Sequence, residues 1–98
     1  MKFRIVENEV VYHDSYSSAV QYAKHDAESR GYVISDNEWF NTVNTGPPKP
    51  SPGEHNNLHL ELEKNGKLQK KQLHIIVTNI DNNQRTLKTP FELVYYIS

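Results

Sequence analysis

Four of the five prolines of this chain fall between residues 47 and 52, in Gly46-Pro47-Pro48-Lys49-Pro50-Ser51-Pro52-Gly53. Proline fixes φ and carries no backbone donor, so neither a helix nor a central strand can run through such a stretch. The run has to be extended and polyproline-II-like, and it is expected to be exposed. It divides the sequence into a part patterned for helix and a part patterned for strand. A segment of this kind is either a plain connector or a surface offered to a partner.

A length of 98 residues suits one small domain and not two, so residues 1–98 are read as a single unit bearing an exposed proline-rich loop over 45–57. Only 36% of the residues are hydrophobic, but three Phe, six Tyr and one Trp let a small core be built from few, large side chains. There is no cysteine, which removes disulfides, thiolate metal ligands and cysteine nucleophiles and fits a reducing compartment. Met1-Lys2-Phe3-Arg4-Ile5-Val6-Glu7 lacks the apolar run and small-residue cleavage pattern of a signal peptide. No window approaches the ~20 apolar residues of a membrane span. A soluble, cytoplasmic protein without membrane association is the expectation. The net charge of −1 argues against a dedicated phosphate-backbone binder, although the chain is net acidic up to residue 56 and net basic beyond it.

Residues 2–6 and 9–13 are strand-like; they make a hairpin turning at Glu7-Asn8, or one continuous bent strand. Asp14-Ser15 can cap a helix in which Tyr16, Ala19, Val20, Ala23 and Ala27 form one apolar stripe, with Gly31 ending it. Tyr32-Val33-Ile34 is a short extended piece. Ser35-Asp36-Asn37-Glu38 has the form of a capping box, the Ser hydroxyl meeting the Glu38 N–H and the Glu38 carboxylate reaching back, and it opens a short helix carrying Trp39 and Phe40. Residues 58–63 alternate as Leu-His-Leu-Glu-Leu-Glu, Asn65-Gly66 is a strong hairpin turn, and 67–78 is the return strand. A two-residue turn would set Leu58 against Leu73, Glu61 against Lys70, His59 against Gln72 and His74 against Asn57. Asp81-Asn82-Asn83-Gln84 reads as a polar turn, and Thr89-Pro90 starts a last strand with Phe91, Leu93, Tyr95 and Ile97 on one face. The fold class is α+β: an antiparallel sheet of three to five strands, one main helix packed on one face and a second short helix.

No constellation for catalysis emerges. There is no serine elbow and no glycine-rich phosphate loop, and the carboxylates of Asp36, Glu38, Glu61 and Glu63 are better explained by capping and by the wet face of a strand. Neither a catalytic residue nor a cofactor is expected. The five histidines show no Glu-x-x-His or His-Glu-x-x-His spacing, and His59 and His74 are offset in the register above, so no metal site is expected either. Two surfaces remain. Trp39 and Phe40, followed by Pro47, Pro48, Lys49 and Pro50, combine aromatic anchors with a stiff loop, a composition suited to binding protein; the bland reading is that at least one ring closes the core. Lys64, Lys67, Lys70 and Lys71 crowd the Asn65-Gly66 turn and could meet nucleic-acid phosphates, or could simply guard an edge strand against aggregation.

The combination of Asp36-Asn37-Glu38-Trp39-Phe40, Thr45-Gly46-Pro47, Lys49-Pro50, Lys64-Asn65-Gly66-Lys67, Lys70-Lys71 and Leu73-His74 resembles small domains encoded by bacteriophages and mobile elements, sometimes fused into large polyvalent phage proteins. The resemblance spans about residues 18–98 and departs at Arg85-Thr86-Leu87-Lys88, which lengthens the last loop. It carries no catalytic residues with it. It implies a bacterial host cytoplasm and a protein partner, of host or phage origin, met during host takeover, counter-defence or particle assembly. The expectation is therefore a non-catalytic protein-binding module. The alternatives are a nucleic-acid-binding accessory protein using the lysine hairpin, and a homo-oligomeric assembly protein pairing through a strand edge such as residues 91–98.

Overall fold

The computed structural model describes residues 10–81 and 88–98. The N-terminal residues 2–6 with their Glu7-Asn8 turn, the Asn82-Asn83-Gln84 part of the polar turn and Arg85-Thr86-Leu87 lie outside the described residues.

Four strands, β1 (Val11–His13), β2 (His55–Lys64), β3 (Lys67–Asn79) and β4 (Phe91–Ile97), form one antiparallel sheet in the order β1-β4-β3-β2. Helix α1 (Tyr16–Ser29) and the short helix α2 (Asp36–Trp39) complete an α+β fold. Ser15 caps α1, its hydroxyl accepting from the Ser18 N–H at 3.0 Å. At the other end the Tyr32 N–H reaches back to the Ala27 carbonyl and that of Gly31 to Glu28, with Gly31 at φ +93°, so the left-handed residue after the cap closes the helix.

Alternation sorts the strands into two faces. Leu58, Leu60, Leu62, Leu73, Ile75, Val77, Phe91, Leu93 and Tyr95 are buried against the alanine stripe of α1, Ala19, Ala23 and Ala27, and against Val20 and Ile34. The small alanines let the helix backbone approach the sheet, and full burial of each larger aliphatic contributes about 1.5–3 kcal/mol. The opposite face carries Tyr12, Glu92, Thr78, Val94, Ile76, Asn57, Tyr96, His74, His59, Gln72 and Glu61.

The β2–β3 register corrects the one expected from the turn. Asn65 and Gly66 do form a two-residue turn with left-handed φ of 56° and 78°, and Lys64 faces Lys67. Between Glu61 and Glu63 the register shifts, so that Leu58 faces Ile75, Leu60 faces Leu73, His59 faces His74 and Glu61 faces Gln72. The reason is burial. Continuing the turn's register would have set Leu60 against Lys71 and Leu62 against Gln69; the slip pairs core residue with core residue and, being even, keeps every side chain on its own face.

The irregularity is held from outside. Val33 exchanges backbone hydrogen bonds with Glu63 at 2.7 and 2.8 Å, and the Glu38 carboxylate accepts from the Glu61 N–H at 2.9 Å. The expected capping box is thus only half made: the Ser35 hydroxyl accepts from the Glu38 N–H at 3.1 Å, but the Glu38 side chain leaves its own helix to serve the bulge. In the sheet order strand β4 is interior, in contrast to the expectation of an edge at residues 91–98; it pairs β3 along Leu73–Asn79 and, among the described residues, β1 at Phe91, Glu92 and Leu93 alone.

Replacing Glu38 with Ala removes a charged acceptor from a strand N–H, and should cost about 1–2 kcal/mol. Urea unfolding should show a lowered midpoint at unchanged m, with faster amide exchange at Glu61; an unchanged midpoint and unchanged exchange would show that the bulge does not need the carboxylate.

Candidate functional site

The aromatic and proline residues expected to form one surface differ in burial. Trp39 is half-buried against the core, and the Lys24 ammonium lies 5.1 Å above its ring. Phe40, the next residue, is 53% exposed. It begins a single π-helical turn, Phe40–Asn44, that continues α2 and closes where the Thr45 N–H and hydroxyl both donate to the Phe40 carbonyl, at 2.9 and 3.1 Å. A Cβ at Gly46 would overlap the Thr42 carbonyl oxygen, so glycine is what lets the chain leave this turn toward the prolines.

The proline segment is fixed, not free. Asn56 Nδ2 donates to the Pro48 carbonyl at 2.7 Å and to the Tyr16 hydroxyl at 3.1 Å. Asn79, the one buried polar residue among those described, donates through Nδ2 to the Pro50 carbonyl at 3.1 Å and accepts from the Asp81 N–H at 3.0 Å. Its backbone also exchanges bonds with Gly53 and Glu54 at 2.8 and 2.9 Å. Pro47, Pro48 and Lys49 stay exposed, whereas Pro50 is buried, which corrects the expectation that the whole run is on display. Proline carbonyls are free acceptors without a matching donor, and two asparagines of the sheet supply the donors.

The lysines also divide. Strand β4 ends opposite Leu73, and Ser98 closes it by exchanging backbone bonds with Gln72. The hairpin therefore continues past the four-stranded sheet as a two-stranded tip. Lys67, Lys70 and Lys71 are exposed there, while Lys64 is drawn back, its ammonium 4.7 Å above the Tyr32 ring.

A third constellation was not anticipated. The corrected register sets His59 opposite His74, ring centroids 4.6 Å apart, and His74 stacks nearly parallel on Tyr96 at 4.6 Å and 8°. The Ser98 hydroxyl lies 3.2 Å from His74 Nε2. Three rings thus stand in a row across β2, β3 and β4 on the face away from α1. Pairing the buried leucines of β2 with the apolar end of β3, instead of counting outward from the turn, would have disclosed the row. Burial, then the neighbouring His59, lower the His74 pKa below its ordinary 6.5, partly offset by a backbone hydrogen bond at Ser98. On the core face, burial and a hydrogen bond with Asp26 raise the Tyr95 phenol well above its usual range, so it stays a neutral donor.

Among the described residues no three His, Asp or Glu side chains converge, and no helix is long and apolar enough to cross a membrane. No family model, curated protein or solved structure matches this chain.

The His74 shift has a definite sign. The unfolded chain takes up a proton near 6.5 while folded His74 resists it, so stability is greatest above about 6.5, declines as pH falls through that value, and levels off below the folded pKa. Urea midpoints measured with EDTA at neutral pH and at about pH 5.5 should therefore drop for the parent protein, and drop less for His74→Gln. Equal losses in both would assign the acid sensitivity elsewhere.

Proposed function

We propose that the protein is a non-catalytic binding module that acts by covering the surface of a protein partner, with Phe40 as the anchor and the exposed Pro47, Pro48 and Lys49, which follow its turn along the chain, as further contacts. The single observation that carries this reading is Phe40, a large ring more than half exposed on a hydrogen-bonded turn that leads along the chain into a loop tied to the sheet by Asn56 and Asn79. An exposed aromatic on a pre-ordered support loses little conformational entropy on binding, which is the composition of a binding hot spot. Trp39 is packed against the core and is not itself the proposed contact. In line with the resemblance to phage-encoded domains, the partner we propose is a host protein or complex in the bacterial cytoplasm, bound during takeover or counter-defence.

The reading is tested by capture from bacterial lysate, with nuclease treatment, comparing the parent protein with Phe40→Ala. A stoichiometric protein that survives nuclease and binds the variant at least about tenfold more weakly is the expected outcome. Phe40→Ala should leave thermal stability nearly unchanged, because the ring is exposed. Undiminished capture by the variant would remove Phe40 as the anchor.

A second reading has one observation in its favour: Lys67, Lys70 and Lys71 project on a tip that extends beyond β4. A β-ribbon so charged suits contact with nucleic-acid phosphates, and any such affinity should fall steeply with salt. The triple substitution Lys67→Ala, Lys70→Ala and Lys71→Ala should abolish retention of nucleic acid in a filter-binding assay and leave capture of a protein partner intact. Retention that persists in the triple variant rules out the hairpin.

A further inference from the structure

We propose that His59 and His74 form a two-imidazole clip for a late first-row divalent metal ion such as Zn2+, on the sheet face opposite α1. The inference is independent of the Phe40 surface.

It starts from the register. The two residues are direct cross-strand partners on β2 and β3, not diagonal neighbours, and their ring centroids are 4.6 Å apart. Imidazole nitrogens bind Zn2+ at about 2.0–2.1 Å, so two rings on one ion have centres ~4.5 Å apart at a right angle and ~5.2 Å apart at the tetrahedral angle. The observed spacing lies at the lower end of that span, and small adjustments of both side chains would turn one nitrogen of each ring to a common centre.

The surroundings favour the same use. His74 is positioned by its stack on Tyr96 and by the Ser98 hydroxyl at Nε2, which leaves Nδ1 as the nitrogen for the ion. Metal-binding imidazoles are ordinarily oriented through a hydrogen bond on the second nitrogen, and Ser98 supplies that partner. His59 is exposed and reorients freely.

Two protein donors leave the remaining positions to water, since no third His, Asp or Glu converges with this pair among the described residues. Affinity belongs in the micromolar class of an open site, far from that of a closed structural zinc site. The bound ion ties β2 to β3 on the side that the hydrophobic core does not hold. Because it binds the folded pair and not two distant histidines of an unfolded chain, it raises stability with metal concentration. Its open positions also give a donor on a partner a place to bind.

The test is calorimetric titration of the full chain, free of any histidine tag, with zinc chloride near neutral pH. One ion per chain should bind saturably below about 1 mM, and His59→Ala and His74→Ala should each weaken binding at least tenfold, as expected when one of two ligands is lost. His25→Ala, on the exposed surface of α1, should bind as the parent does. Zinc should raise the melting temperature of the parent and not of the two clip variants, and ring-nitrogen NMR shifts should be confined to His59 and His74. Should His74→Ala fail to fold, His59→Ala decides alone, since that side chain is exposed. No saturable heat up to about 1 mM, or binding unaltered by His59→Ala, overturns the clip.

Discussion

The cross-strand pairing of Leu58 with Ile75 and of Leu60 with Leu73 is the interaction on which the rest of this structure depends. Those four side chains are almost wholly buried, and with Leu93 and Val77 they form the sheet's contribution to the core beneath α1. The Asn65-Gly66 turn favours a different alignment, in which lysine and glutamine would face buried leucines. Each cross-strand pairing of such side chains contributes about 0.2–1 kcal/mol, and the alignment gains them together, against the distortion of one bulge. The core alignment wins, and the two-residue discrepancy is absorbed between Glu61 and Glu63, the segment clamped by Val33 and Glu38. The opposition of His59 and His74 follows as a by-product of aligning leucines on the other face.

A second consequence runs along the loop. The proline segment has carbonyls but few donors, so alone it would hang in solvent as a stiff spacer. Asn79, at the end of β3, binds it with both its side chain and its backbone, and Asn56 on β2 binds it again. The apolar alignment that fixes where Asn56 and Asn79 stand thus also fixes where Pro48 and Pro50 stand. Phe40 is set by the other end of the same connection, through the Thr45 bonds to its carbonyl. A loop tethered at both ends needs little ordering when it meets a partner, and this favours recognition by the segment over mere linkage.

Much of this was legible in the residues. The α+β class, the alanine-striped helix capped at Ser15, the Asn65-Gly66 turn and the alternation of Phe91, Leu93 and Tyr95 follow from local patterns, and local patterns persisted. Three features were not legible, each because a long-range term outweighed a local one. Glu38 could cap its own helix at short range, yet it serves a strand N–H presented only after β2 is in place. Pro50 belongs to a run whose composition says exposed, and it is buried because Asn79 draws its carbonyl in. Residues 91–98 look like a terminal edge, and only the placement of β1 beyond them makes β4 an interior strand. For the candidate surfaces, sequence named Phe40 and the lysines but could not separate Phe40 from Trp39, since adjacent helical residues point in directions that only packing assigns.

Apart from the buried Pro50 and the partly buried Trp39, Lys64 and His74, every candidate contact lies where the core does not need it. Phe40, Lys67, Lys70, Lys71 and His59 are all exposed, whereas the residues that bury area lie between α1 and the opposite sheet face. For a chain of 98 residues this separation matters, because a small domain has little stability to give up to strained or unsatisfied functional groups. The two shifted groups among the described residues follow the same division: Tyr95, raised, lies on the core face bonded to Asp26, and His74, lowered, lies on the open sheet face. Such a molecule keeps a thin core intact while presenting side chains at its rim, and the proposed contact through Phe40 would draw on the rim alone.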